Sequence, residues 1–297
     1  MQTALAALTE ELRRLQSAGV KRVAVSDEGL ASLRAARLRA LSEVAAPAPA
    51  AKPAPVRGES KPAAAPGPAL PPPPSLEKLR AELAPLPNAA ARWAALREIV
   101  RGDPHCRSHV RAGRQVVFGV GDPQARIFFV GEAPGAEEEV QGEPFVGPAG
   151  QLLNRMIAAM GLERAAVYIG NIMNWRPELP AGPDGFQSGN RPPTAAEMAY
   201  CLPYLLAQIE IVRPAILVAL GATAAQGLLG AGSFKALGEV RGRWREFAGV
   251  PLMVTYHPSY ILRNPTNRSK RLIWEDLLQV MARAELPISD KQRGYFL

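Results

Sequence analysis

The segment RIFFVGEAPG, residues 126–135, joins a continuous apolar run to a turn rich in Gly and Pro. A short apolar run that ends in a turn is typical of a strand buried on both faces of a sheet. Three similar runs follow along the chain, at residues 167–171 (VYIGN), 215–220 (AILVAL) and 251–256 (PLMVTY). The four runs predict the central strands of one sheet.

Helical patterns separate these runs. They lie around residues 149–160, 194–212, 222–229 and 270–284, and residues 75–101 predict one or two further helices before the first strand. Strands that alternate with helices form mostly parallel sheets whose two faces are both covered. We therefore expect an α/β fold of three layers, αβα, around a four-stranded, mostly parallel sheet.

Ligands of such sheets bind beside the carboxyl ends of the strands. Three of the predicted ends carry reactive or flexible residues: GEAPG at 131–135, Asn171, and HPSY at 257–260. Each has a structural explanation when taken alone, because Gly-rich turns make tight connections, Asn caps elements, and a His before Pro is as often structural as catalytic. Their occurrence together predicts a functional site at this edge.

The first 74 residues differ in composition from the rest. Residues 46–74 are nearly all Ala and Pro, which predicts a flexible linker. Leu and Ala at helical spacing within residues 1–45 leave two hypotheses, a disordered extension or short helices that contact a partner. We expect the folded domain to span residues 75–290 and residues 291–297 to form a C-terminal tail.

The net charge of +8 and the pI near 9.8 favour a polyanionic partner. Residues 1–75 contain ten Lys or Arg and six Asp or Glu, so they hold +4 of this charge and leave +4 for the other 222 residues. Charge alone therefore does not establish DNA binding. The chain contains no apolar run of about 18 residues and no apolar signal segment, so a cytoplasmic protein without membrane contact is expected.

The two cysteines, Cys106 and Cys201, are too few for a disulfide framework and too far apart for a compact metal motif. From their number and spacing we expect two reduced thiols.

The motifs in their joint order resemble the uracil-DNA glycosylase superfamily, and its family 4 branch most closely. The similarity extends from about residue 116 to residue 280. It comprises GEAPG, GEPFVGPAGQLL at 142–153, the strand ending in Asn171, GNRPPT at 189–194, RGRW at 241–244 and HPSYILR at 257–263. The resemblance implies that superfamily's fold and a monofunctional, monomeric enzyme that hydrolyses the N-glycosidic bond of deoxyuridine in DNA, leaving an abasic site.

A glycosylase turns the nucleotide out of the duplex and recognises the base by its edge and its faces. The resemblance implies that Phe145 stacks on the uracil ring and that the backbone of Gly131, Ala133 and Gly135 shapes the pocket. The amide of Asn171 both donates and accepts, so it matches the adjacent carbonyl and N–H of uracil and not the pattern of cytosine.

Cleavage leaves negative charge on the departing uracil, so catalysis needs a hydrogen-bond donor near uracil O2. The resemblance implies that His257 fills this role, as a neutral imidazole. Other superfamily branches place an Asp or Asn at the position of Ala133 to orient the attacking water. Glu132 is therefore the best available acid for positioning water or supporting the site, with a purely structural Glu132 as the alternative.

The loop that follows HPSY is expected to meet the minor groove, because in the superfamily it fills the space left by the flipped base. Ile261 and Leu262 are the candidate wedge, and Arg263 is the candidate phosphate contact. Ser259 and Arg191 complete the set of predicted DNA-binding residues.

Family 4 enzymes hold a [4Fe–4S] cluster with four cysteines. The matching positions here are Asp103, Cys106, Trp175 and Cys201, so two thiolates remain. Because an indole cannot ligate iron and four ligands are the usual requirement, we expect no cluster and no other cofactor. Trp175 is expected to fill the space by packing, beside a loop at 178–189 that is longer than the family pattern.

Two alternative functions stay open at this point. One is a DNA-binding module of the same fold that has lost its activity, against which Phe145, Asn171 and His257 argue together. The other is a nucleotide-binding enzyme, suggested by Gly119 and Gly121 after an apolar run, although the third glycine and the following helix of that motif are missing.

Overall fold

The computed structural model describes residues 71–179, 187 and 189–297. The predicted extension at 1–45 and most of the predicted linker at 46–74 lie outside the described residues. Within the described part of the chain, no helix has both the length and the apolar character needed to cross a membrane.

Six strands form one mixed sheet in the order β1-β3-β2-β4-β6-β5. Their bounds are β1 Val120–Gly121, β2 Ile127–Gly131, β3 Tyr168–Asn171, β4 Ile216–Leu220, β5 Trp244–Phe247 and β6 Val250–Thr255. The four predicted strands are the parallel centre of the sheet, β3-β2-β4-β6. The predicted count of four is corrected to six, because β1 and β5 add antiparallel edges.

Ten α-helices lie in the described residues. Their bounds are α1 Leu76–Leu83, α2 Ala89–Gly102, α3 Pro104–Ser108, α4 Ala136–Gln141, α5 Pro148–Ala159, α6 Ala195–Val212, α7 Ala222–Leu229, α8 Pro258–Arg263, α9 Asn267–Arg283 and α10 Asp290–Arg293. The predicted helices at 149–160, 194–212, 222–229 and 270–284 correspond to α5, α6, α7 and α9.

Side chains of successive strand residues point to opposite faces of the sheet, and both faces are buried. In β2, Phe129 packs on one face with residues of α5 and α9, whereas Phe128 packs on the other face with residues of α6 and α7. This arrangement is the predicted three-layer fold. A third apolar cluster joins α1, α2 and α3 to α6 beyond the sheet.

The C-terminal residues pack on the domain. Trp274 of α9 donates its indole N–H to the carbonyl of Gln292 at 2.6 Å, and the Gln292 side chain donates to the carbonyl of Ala159 at 2.8 Å. The Tyr295 ring also packs against the first apolar cluster. Residues on both sides of the boundary predicted at residue 290 therefore contact the domain, through α10 and Tyr295.

Candidate active site

A pocket of about 580 Å³ opens at the carboxyl edge of the sheet, and we call it the strand-end pocket. The loops that follow β2, β3, β4 and β6 contribute to its wall. Of the residues singled out from the sequence, nine line it: Glu132, Ala133, Gly135, Phe145, Asn171, Arg191, His257, Ser259 and Arg263.

Gly131, the last residue of β2, lies between two predicted base contacts of the pocket wall. A Cβ at this position would lie 2.3 Å from Asn171 Oδ1 and 2.5 Å from the Phe145 ring. Only glycine lets these two side chains approach the end of β2 so closely. The Phe145 ring also lies 5.5 Å from the imidazole of His257, tilted by 31°. The three residues predicted to bind the base and its charge thus meet in one place.

Asn171 ends β3 and is 7% exposed. Its Oδ1 is buried and finds no hydrogen-bond partner among the described residues. A buried amide oxygen without a partner costs free energy, so it is expected where a ligand supplies the missing donor.

Phe145 has a left-handed backbone with φ of +55°, which is uncommon for a bulky side chain. Arg164 stabilises this loop by donating to the carbonyls of Phe145 at 3.2 Å and Pro144 at 2.6 Å. Gly150 of α5 completes the fit, since a Cβ there would lie 1.8 Å from the Phe145 carbonyl oxygen. The ring orientation is therefore imposed by surrounding contacts.

Glu138 of α4 is a pocket residue that the sequence patterns did not single out. Its carboxylate accepts from the backbone N–H of Gly135 at 3.1 Å, Val146 at 3.1 Å and Gly147 at 3.0 Å. It thereby ties the GEAPG turn to the loop that carries Phe145. A signal was present in the run of three Glu after GEAPG, but acidic residues in a first helical turn are common and the pattern alone does not show which one turns inward.

His257 is the N-cap residue of α8, and its Nδ1 accepts from the backbone N–H of Ser259 at 3.2 Å. The Ser259 hydroxyl lies 2.8 Å from the same nitrogen. Because Nδ1 accepts, the neutral ring carries its proton on Nε2. Burial lowers the pKa of His257 to about 4, with a further lowering by the Arg263 charge against a raising effect of Glu138. The imidazole is therefore neutral at pH 7 and offers an N–H donor.

Glu132 follows β2 directly. Burial raises the pKa of its carboxyl group, and a hydrogen bond with Thr223 and the charge of Arg263 oppose that rise. Thr223 is a second pocket residue that the sequence patterns did not single out, since a Thr in the first turn of a helix gives no distinctive signal. A carboxylate of this kind can position a water molecule and accept its proton.

The structure divides the two candidate wedge residues. Ile261 is 7% exposed and packs in the same apolar cluster as Phe145, so in the protein without DNA it is a core residue. Leu262 is 45% exposed, one of only a few exposed large apolar side chains among the described residues. Arg263 reaches the pocket wall. Of the two candidates, only Leu262 is exposed enough to enter the space left by a flipped base.

Arg191 lines the pocket, but its guanidinium group is already engaged. It contacts the carboxylate of Glu197 through Nη1 at 2.8 Å and Nη2 at 2.6 Å, and its Nε donates to the carbonyl of Glu178 at 2.7 Å. These bonds anchor the 189–194 segment to the start of α6. Use of Arg191 as a DNA contact would require this partly buried ion pair to open.

The RGRW motif does not line the pocket; its contacts stabilise the strand that leads to His257. Arg241 pairs with the buried Asp276 of α9 at 2.9 Å, and Asp276 accepts from the Thr255 hydroxyl at 2.6 Å. A Cβ at Gly242 would lie 2.8 Å from an Asp276 oxygen. The motif thus fixes the end of β6, two residues before His257.

Glycines of the possible nucleotide-binding motif have a packing role. A Cβ at Gly121 would lie 1.9 Å from the Val167 carbonyl oxygen, and a Cβ at Gly119 would lie 2.4 Å from the Gln208 side chain. Gly121 lets β1 approach the start of β3, and Gly119 leaves room for the side chains of Gln208 and Tyr168. No helix begins after this turn, because the chain continues into β2, so the described structure offers no phosphate loop there.

The four positions that match the cluster ligands of family 4, namely Asp103, Cys106, Trp175 and Cys201, lie close together beneath α3 and α6; we call them the cluster-equivalent region. Cys106 and Cys201 are both buried. A hydrogen bond between the two thiols, followed by burial, raises the pKa of Cys106 far above its usual value. The Cys106 sulfur is therefore expected to stay protonated, whereas iron binds thiolates.

Asp103 is occupied as a hydrogen-bond acceptor. It accepts from the hydroxyls of Tyr204 at 2.8 Å and Tyr200 at 3.0 Å, and from the backbone N–H of Cys106 at 2.7 Å. Burial would raise the pKa of Asp103, but these hydrogen bonds lower it below the usual value. The carboxylate is satisfied by protein groups.

Trp175 fills the remaining space. It is 1% exposed, stacks on the His109 ring at 4.7 Å, and meets His105 edge-on at 5.5 Å. Across the described residues, no three His, Cys, Asp or Glu side chains are arranged to hold a metal ion. An indole in the third position and a hydrogen-bonded carboxylate in the first do not fit a [4Fe–4S] cluster.

Comparison with known proteins agrees with this geometry. The family model of the uracil DNA glycosylase superfamily matches residues 118–278. The type-4 uracil-DNA glycosylase of Thermotoga maritima is 43% identical over 163 residues, which are 54% of this chain and 79% of the relative. The corresponding enzyme of Archaeoglobus fulgidus is 38% identical over 185 residues, 59% of this chain and 87% of the relative.

A type-5 uracil-DNA glycosylase of Pyrobaculum aerophilum is 32% identical over 184 residues, 55% of this chain and 73% of the relative. The family match covers more than half of the chain and includes every strand-end loop of the pocket. The chain belongs to the uracil-DNA glycosylase superfamily.

Proposed function

We propose that the chain removes uracil from DNA by hydrolysing the N-glycosidic bond of deoxyuridine, and that it leaves an abasic site. The observation that carries the proposal is the convergence of Asn171, Phe145 and His257 around Gly131. The reaction needs three groups. Asn171 supplies an amide for the edge of the base, Phe145 supplies a ring for its face, and His257 supplies a neutral hydrogen-bond donor for the charge on the departing base.

Recognition of the base rests on Asn171 and Phe145. The unpartnered Oδ1 of Asn171 accepts from N3–H of uracil, and the amide N–H₂ donates to the neighbouring carbonyl. Cytosine has no hydrogen at N3, so it would leave Oδ1 buried without a donor. The Phe145 ring, held in its unusual backbone conformation, stacks on the flipped base.

Bond cleavage sends the electron pair of the C1′–N1 bond onto uracil. The Nε2–H of His257 donates to uracil O2 as negative charge develops there, and the bond needs no transfer of the proton. A cationic imidazole would be costly in this buried site, which agrees with the lowered pKa of His257.

The attacking water adds its oxygen to C1′, where the sugar has oxocarbenium character. We assign the positioning of this water to Glu132, whose carboxylate accepts the proton that the water loses. Burial raises the pKa of Glu132, which makes its carboxylate a better proton acceptor than an exposed one. The hydrogen bond with Thr223 fixes the side chain.

DNA contacts are assigned to the loop after His257. Leu262 is the exposed apolar side chain that can enter the space left by the flipped base, and Arg263 and Ser259 lie at the pocket mouth, where the phosphates pass. The backbone of Gly131, Ala133 and Gly135 shapes the base pocket. All these residues belong to one chain, so we propose a monomer; the cytoplasmic location stays a prediction.

The matched motifs contain no lysine suited to attack C1′, so we propose a monofunctional enzyme without strand cleavage. We also propose that it works without an iron–sulfur cluster. The absence of a cluster is supported by the contacts at the four equivalent positions. Asp103 accepts a hydrogen bond from Tyr204, Trp175 stacks on His109, and Cys106 forms a hydrogen bond with Cys201.

The test is excision from single- and double-stranded oligonucleotides that carry one uracil, detected as strand breaks after alkali. Wild type should release uracil, and His257→Ala should lower the single-turnover rate by about 10²- to 10³-fold. His257→Asn, which keeps a neutral N–H donor, should retain more activity than His257→Ala. Wild-type inactivity on both substrates, with binding intact, would favour the inactive DNA-binding module.

A further inference from the structure

A second concave site lies outside the strand-end pocket. It is a cavity of about 390 Å³ whose wall carries four arginines, and we call it the arginine cavity. The arginines are Arg101, Arg107, Arg111 and Arg114, from the end of α2, the end of α3 and the loop before β1. The assigned reaction uses none of them.

Carboxylates neutralise only part of this charge. Arg114 lies 3.8 Å from Glu139, which also pairs with Arg176 at 3.2 Å. Arg111 donates to the carbonyl of Leu179 and to the side chain of Gln187, and none of the acidic residues that the structure describes forms an ion pair with it. Counted over the described residues, the cavity wall therefore carries an excess of positive charge.

Arg101 and Arg107 have no ion pair with any acidic residue in the described part of the chain. The Nε of Arg101 is buried and also lacks a hydrogen-bond acceptor there. Burial, and then the charge of Arg97, lowers the pKa of Arg101. A buried guanidinium N–H without an acceptor is costly, and an anion in the cavity would remove that cost.

The arginine cavity faces the same edge of the sheet as the strand-end pocket. Val117 donates to the carbonyl of Asn174, just beyond the end of β3, and Gln115 donates to the carbonyl of Glu139 in α4. The guanidinium of Arg101 lies beside Gly142, three residues before Phe145. Helix α4 thus lies between the two sites, with its first residues in the wall of the strand-end pocket.

We propose that the arginine cavity binds a backbone phosphate of the DNA strand at a point away from the flipped nucleotide. Guanidinium groups pair with phosphate oxygens in a bidentate geometry, and several of them in one concavity favour a phosphodiester over a carboxylate of the protein. The cavity gives the enzyme an anchor that is independent of the base.

The spacing predicts which substrates reach the anchor. Helix α4 has six residues and is therefore about 9 Å long. Because this helix separates the two sites, the anchored phosphate belongs to a nucleotide farther along the strand and not to the uracil nucleotide itself. This inference rests on the proposed function for the position of the uracil, but the binding of DNA to the cavity can be measured without any excision.

The test compares Arg101→Gln/Arg107→Gln with Arg126→Gln/Arg245→Gln. The control pair removes the same charge from exposed positions at the amino end of the sheet. With an undamaged oligonucleotide of about 15 nucleotides, the cavity variant should bind about ten-fold more weakly than wild type. The slope of log affinity against log salt concentration should become shallower by about one unit for each phosphate that the variant no longer neutralises. Equal weakening of binding in the two double variants would overturn the proposal.

Substrate length gives a second readout. For a uracil substrate with one nucleotide on each side, the cavity variant and wild type should have the same kcat/KM, whereas the longer substrate should show a raised KM with kcat retained. The binding of inorganic phosphate, measured at constant ionic strength, shows whether the cavity is a site for a small free anion and not for the DNA strand. If phosphate binds wild type but not the cavity variant, while DNA affinity is equal in both, the cavity does not serve the DNA strand and the proposal is wrong.

Discussion

The strand-end pocket and the cluster-equivalent region contrast in what occupies them. In the pocket, Asn171 keeps a buried oxygen without a protein partner among the described residues, and a cavity of about 580 Å³ stays open beside it. In the cluster-equivalent region, Asp103 accepts three hydrogen bonds and the Trp175 indole occupies the interior. Three buried ring nitrogens around it, Trp175 Nε1, His105 Nε2 and His109 Nε2, also lack a hydrogen-bond partner among the described residues. The first arrangement leaves space for a ligand beside an unpartnered oxygen, and the second is filled by side chains. We therefore expect substitutions in the pocket to lower activity and substitutions in the cluster-equivalent region to lower stability.

The largest expected effect is on stability, from Trp175→Ala. Removing a fully buried indole leaves a cavity between α3 and α6, and the free energy of unfolding should fall by about 3–5 kcal/mol. Excision by the molecules that remain folded should change little, because Trp175 is not part of the pocket wall. Chemical denaturation and single-turnover assays at low temperature measure the two quantities. If Trp175→Ala instead lowered the single-turnover rate strongly and left the free energy of unfolding unchanged, Trp175 would serve catalysis and not the packing of the fold.

Asn171→Ala should give the opposite result. Its Oδ1 makes no hydrogen bond within the described structure, so the change should leave the thermal midpoint close to that of wild type. The single-turnover rate on uracil should fall by about 10²- to 10³-fold, since the base is no longer held by its edge. A strongly destabilised variant would show that the amide is structural.

The protonation of His257 as pH falls tests whether the pocket holds a buried neutral imidazole. Burial lowers its pKa to about 4, so NMR of the imidazole should show no titration near the ordinary value of about 6.5. The unfolded chain binds this proton below about pH 6.5 and the folded chain does not. The free energy of unfolding should therefore fall as pH drops from about 6.5 to about 4, by up to roughly 3 kcal/mol from this residue. An imidazole that titrates near pH 6.5 in the folded protein would contradict a buried neutral donor.

Tyr204→Phe should have the smallest effect of the four. It removes one donor from Asp103 and leaves the ring packed, so the free energy of unfolding should fall by about 1–2 kcal/mol. Asp103→Asn keeps the cap on α3 and tests the charge separately. Because hydrogen bonds lower the pKa of Asp103, the stability they give is present above the unfolded pKa and is lost as pH falls through the folded one. A fully stable Tyr204→Phe would mean that the hydroxyl contact is incidental.

The centre of the fold could be predicted from the sequence, and its edges could not. The four parallel strands are largely buried on both faces, so each is a continuous apolar run. Strand β1 has two residues, and β5 places Arg245 and Glu246 in solvent, so neither produces a distinctive pattern. The C-terminal helix α10 is short and polar, and for the same reason its sequence predicts a tail.

Much of the candidate site could be predicted because its residues follow strands that end at one edge. The contacts of Glu138 and Arg164 could not, because both act on backbone atoms of loops, which no side-chain pattern records. The burial of Ile261 depends on how α8 rotates against α5, which is set by tertiary packing. The pairing of Arg191 with Glu197 likewise forms only when the loop is folded.

The most direct test of the account measures iron content and excision on the same purified sample. We predict complete uracil release by protein that contains no stoichiometric iron and lacks the visible absorbance of an iron–sulfur cluster. Four iron atoms per chain, with excision that disappears when they are removed, would contradict it.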